Sequence, residues 1–70
     1  MQTNVLRAEM VRKGINGQKM SEAIGISESA FYRKMSGATE FTLSELKAIR
    51  DTLELSHDDV YNIFFADKVS

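Results

Sequence analysis

The sequence predicts an all-α fold, and three observations carry that expectation. No stretch alternates apolar and polar side chains over a strand's length, while apolar residues recur at three- and four-residue steps throughout. The four glycines fall at the ends of these apolar stripes. Asn, Ser or Thr stands at the point where the stripes that follow begin, where a side-chain oxygen can accept from an orphan backbone N–H. Five helices of two to three turns fit the 70 residues. Helices so short are marginal alone and must share one core, so residues 1–70 are read as a single domain.

Each element follows from its own residues. Leu6, Met10 and Val11 form the first stripe, which ends at Gly14. Asn16 caps a second helix with Met20, Ala23 and Ile24 inward. Asn16-Gly17 is also a hairpin signal, discounted because its flanks have helical period. Gly25 ends that helix, Ser27 caps a third with Ala30, Phe31 and Met35, and Gly37 closes it. Thr42 and Glu45 form a capping box ahead of Leu43, Leu46, Ile49 and Leu53. Ser56 and Asp59 form a similar box ahead of Val60, Ile63 and Phe64.

Composition removes several function classes. With no Cys there is no disulfide framework, Cys-based zinc site or thiol nucleophile. The lone His57 sits beside a helix cap with no second His to complete a metal or nucleophile site, so no metal and no cofactor are expected. Asp58 and Asp59 are adjacent and project apart, and the helix dipole alone accounts for acids in a first turn. An enzyme is not expected. The longest apolar run is Ile63-Phe64-Phe65-Ala66, and Met1-Gln-Thr-Asn lacks the features of a secretory signal, so a cytoplasmic protein is expected.

The net charge of −1 argues at first against a nucleic-acid partner. Its distribution does not. Residues 1–37 carry six basic and three acidic side chains, net +3, and residues 38–70 carry three basic and seven acidic, net −4. Such an asymmetry fits one half facing a polyanion, though a split of this size also arises by chance in small domains.

The stretch from Gly17 to Ser36 is the most informative. It places an apolar Met20, a small Ser21 where two helices meet, Gly25 at the turn, Ile26 as a plug, Ser27 as a cap and Phe31 as an anchor. That is the pattern of a helix-turn-helix (about 17–36), whose second helix enters the major groove. The run Met20-Ser21-x-x-Ile24-Gly25-Ile26-Ser27-x-Ser29-x-Phe31-Tyr32-Arg33-Lys34-Met35-x-Gly37 resembles the lambda-repressor/Cro-like (Xre) family. The likeness is greatest to small phage-associated members from Gram-positive bacteria. Phe41-Thr42-Leu43-Ser44-Glu45-Leu46 and Leu53-x-Leu55-Ser56 fit that family's fourth and fifth helices.

The resemblance implies a five-helix lambda-repressor-like domain that binds double-stranded DNA and regulates transcription. It also implies a homodimer on a near-palindromic site and no small-molecule ligand. There are two departures. Gly17 stands where the family often has a phosphate-clamping Gln, with Gln18 following, and Met10 and Met35 stand where many members pair an Arg with a Glu.

In the family, positions matching Glu28, Ser29 and Arg33 reach base edges. Arg33 can donate two hydrogen bonds to a guanine, or be a solvated surface Arg. Glu28 can accept from a cytosine amino group, or serve only the helix dipole. Tyr32 joins the base-contact set by position, with a phosphate contact or half-buried packing as the other readings. Gln18, Lys19, Ser27, Lys34, Ser36 and Thr39 are the expected phosphate contacts. Arg12 and Lys13 are expected only to solvate the end of the first helix. Tyr61, Phe65 and Val69 form a second apolar face on the last helix, read either as a self-association surface or as a tail folded onto its own domain. The acidic second half keeps open another reading, a module on the same fold that binds a regulator protein instead of DNA.

Overall fold

Side-chain caps start four of the five helices in the computed structural model, which describes residues 1–66. Helix α1 (Thr3–Lys13) ends at Gly14. Helix α2 (Gly17–Ile24) starts where the Asn16 side chain accepts from the Lys19 amide. It ends at Gly25, whose φ of 80° is a left-handed conformation that a Cβ makes costly. Helix α3 (Glu28–Met35) starts where Ser27 accepts from the Ala30 amide. Helix α4 (Leu43–Leu53) opens on the full Thr42/Glu45 capping box, and α5 (His57–Val60) on the Ser56/Asp59 box. The described residues form no strand.

Two features had no local signature. Glu54, not a glycine, ends α4 in the left-handed region at φ 53°. Helix α5 continues into a single π turn, Tyr61–Phe65, in which the Ala66 amide donates to the Tyr61 carbonyl. That wider turn carries both Ile63 and Phe64, neighbours in sequence, into the interior.

The core draws on every helix except α5. Leu6 and Met10 come from α1, Met20 from α2, Phe31 and Met35 from α3, and Ile49 and Leu53 from α4. Leu55, Ile63 and Phe64 complete it, and Ile26 plugs the turn between α2 and α3 at its edge. Ser21 is buried at the helix junction, where its hydroxyl donates to the Gln18 carbonyl. Met10 and Met35 both lie in the core, so no charge is buried at the positions where the resemblance leads one to expect an ion pair.

Three expected core residues lie outside. Val11 is 81% exposed and Leu43 65%, and Ala23 is exposed as well. Val11 lies about 100° around α1 from Met10, which turns it away from the core, while Lys13, itself exposed, stands nearer the face of Met10. The Lys13 ammonium reaches across to donate to the Leu53 carbonyl at 2.7 Å, capping the end of α4 and not that of its own helix. Leu43, the first residue of α4, overhangs the packed part of the helix. Helix α1 is tied down at its start too, where the Gln2 amide donates to the Ile63 carbonyl and the Thr3 hydroxyl to the Met35 carbonyl.

Candidate nucleic-acid interface

The helix pair α2–α3 is built around a turn that its sequence dictates. Gly25 permits the reversal, the Ile26 amide donates to the Ser21 carbonyl, and the Phe31 amide donates to the Ser27 carbonyl to begin α3. Phe31, fully buried, and Met35 fix the inner face of α3, which leaves Glu28, Ser29, Tyr32 and Arg33 exposed on its other faces. Four expected base contacts are thus solvent-facing on one short helix. Gln18 and Lys19 are exposed at the start of α2.

Charge on this face is modest but uncommitted. Lys19 and Arg33 form no ion pair with another described residue, whereas Arg12 pairs with Glu9 and Arg50 with Asp51. Ser27 and Ser36 are exposed, with their oxygens already engaged: Ser27 accepts from Ala30, and Ser36 donates to the Arg33 carbonyl. Thr39 is exposed in the loop that follows α3.

Lys34 is placed differently from the other expected phosphate contacts. Its side chain is only 15% exposed. The ammonium donates to the Glu40 carbonyl at 2.9 Å, lies 3.2 Å from a Glu45 carboxylate oxygen, and sits over the Phe41 ring. It ties α3 to the loop and to the first turn of α4. The Thr42 amide, which donates to Glu45, holds that carboxyl below the usual range against the opposing effect of burial, and Lys34 lowers it further. Of the expected association residues, Tyr61 and Phe65 are both exposed on the π turn, and Val69 lies outside the described residues.

Residues 5–65 match the Cro/C1-type helix-turn-helix DNA-binding domain. The chain belongs to that family. No curated protein and no solved structure matches it. As a Cro/C1-type domain it is a DNA-binding protein, and α3 is the helix that the turn presents outward. Among the described residues no cluster of His, Cys, Asp or Glu could hold a metal ion, and no helix is long and apolar enough to cross a membrane.

One element of this Cro/C1-type domain was missed by sequence reasoning. Gly17, buried as the first residue of α2, has the Tyr32 phenol lying directly on it, so that a Cβ there would overlap the hydroxyl oxygen and the ring. The only local signal is a glycine at a helix start, which can mark the close approach of another group.

Proposed function

We propose that the domain is a sequence-specific transcriptional regulator of the phage or prophage repressor/Cro type, a cytoplasmic protein that acts by occupying an operator. The observation that carries this reading is a pair of exposed cations, Lys19 and Arg33, that form no ion pair with another described residue and stand on a Cro/C1-type helix pair. Arg33 reads a guanine edge from the major groove, Ser29 lets α3 approach closely, and Glu28 accepts from a cytosine amino group. Gln18, Lys19, Ser27, Ser36 and Thr39 flank that helix and meet the phosphates.

With so little net positive charge in residues 1–37, one copy binds weakly, and tight binding requires two copies on a near-palindromic site. The exposed aromatic residues Tyr61 and Phe65 support a self-association surface on the last helix. Titration of the chain against duplex DNA across a range of salt concentrations tests the reading. Affinity that falls steeply with salt, and a consensus recovered from a random duplex library, are expected. Duplex binding without salt dependence, or none, would refute it and favour a domain that binds another protein through its acidic half.

A further inference from the structure

We infer that Gly17 and Tyr32 are a matched pair that makes Tyr32 a contact to the DNA backbone and not a reader of bases. The inference rests on the DNA-binding reading above and adds to it the role of one residue and the reason for another. The Tyr32 phenol covers Gly17 so closely that any side chain there would have to displace it. Its ring also meets Phe31 edge-on, with centroids 5.6 Å apart, and Phe31 is fully buried. The ring is therefore held from two sides, by the bare backbone of α2 and by the core. Yet Tyr32 remains 48% exposed, and its hydroxyl makes no hydrogen bond to another described residue.

This geometry fixes where the hydroxyl can act. Tyr32 lies about 100° around α3 from Arg33, and its ring is turned back onto Gly17 of α2 instead of running outward beside Arg33. The phenol lies on the first residue of α2, next in sequence to the exposed Gln18 and Lys19, which the reading above sets against the phosphates. A phenol O–H there donates to a phosphate oxygen, adding a neutral, directional bond to the charge of Lys19. Glycine at position 17 then lets the ring lie where it does, because a Cβ there would push the phenol aside.

The test uses the full chain with two duplexes, the consensus recovered by library selection and a random sequence, at several salt concentrations. Tyr32→Phe keeps the ring and removes only the hydroxyl. It should weaken binding about three- to tenfold on both duplexes alike, with an unchanged salt slope because no charge is lost and with an unchanged thermal midpoint. Gly17→Ala should weaken binding at least as much in the native background and have no further effect when combined with Tyr32→Ala. Altered preference at one base pair in Tyr32→Phe would overturn the inference, as would undiminished binding. A Gly17→Ala loss that persists in full beside Tyr32→Ala would overturn the pairing of the two residues. If the unsubstituted chain shows no salt-dependent duplex binding, the DNA-binding reading itself fails and takes this inference with it.

Discussion

Replacing Lys34 by Met should loosen the junction between α3 and α4 without touching the DNA-facing surface. The substitution removes the hydrogen bond to the Glu40 carbonyl, a contribution of about 1 kcal/mol. It also removes the 3.2 Å pairing with Glu45, whose two side chains are 15% and 13% exposed, which places it toward the upper end of about 0.5–1 kcal/mol. The contact with the Phe41 ring, at 5.9 Å, lies near the limit of a useful cation–π interaction and adds little. Met retains most of the apolar stem, and Glu45 keeps its 2.8 Å bond from the Thr42 amide, so neither a cavity nor an orphaned acid offsets the sum.

A loss of about 1.5–2 kcal/mol is expected, or about 6–16 °C in the thermal midpoint of a domain this small. Circular dichroism melts at neutral pH measure it. Acid supplies a second reading. Because the Glu45 carboxyl is held below its ordinary range, the stability it contributes is present above its unfolded-state pKa and is lost as pH falls through its folded pKa. Lys34→Met should remove the Lys34 share of that acid sensitivity and leave the Thr42 share. An unchanged melting point, together with a duplex-binding salt slope reduced by about 0.9, would refute the reasoning and return Lys34 to the phosphates.

Other substitutions separate the remaining roles. Arg33→Ala should weaken consensus binding by about 1–3 kcal/mol and relax preference at one base pair, so equal loss on random duplex would count against base readout. Lys19→Ala should weaken all sequences alike and reduce the salt slope by about 0.9, measured by titration at several salt concentrations. Glu54→Gly should raise stability by about 0.5–1 kcal/mol, because glycine adopts the φ of 53° without strain, and chemical denaturation would show a higher midpoint.

Interactions that span three residues were legible, and those that cross the molecule were not. Asn16, Ser27, Thr42 with Glu45, and Ser56 with Asp59 all cap where the local pattern places them, because donor and acceptor lie within one turn. The buried faces of α2 and α3 followed from Met20, Ser21, Phe31 and Met35 for the same reason. The partners of Lys13 and Lys34, the Leu53 carbonyl and the Glu40–Glu45 segment, could not be read locally because they are brought near only by the fold. Periodicity also overran its evidence at Val11 and Leu43, where a stripe extends past the last neighbour able to cover it. Within the candidate site, the exposed residues of α3 could be named from sequence. The placement of Tyr32 on Gly17 could not, since it depends on the crossing of two helices.

Helix α1 supplies none of the proposed contacts to bases or phosphates, yet three hydrogen bonds stitch it to distant parts of the chain. Gln2 donates to Ile63, Thr3 to Met35 and Lys13 to Leu53. The recognition unit is consequently not portable. A peptide cut from Asn16 to Ser36 would keep its caps but lose the scaffold that orients it, and grafting Glu28, Ser29 and Arg33 onto another helix would transfer letters without their spacing. Whatever α3 reads is a property of the whole assembled chain, and a helix that touches none of the proposed contacts is one of the parts that makes it possible.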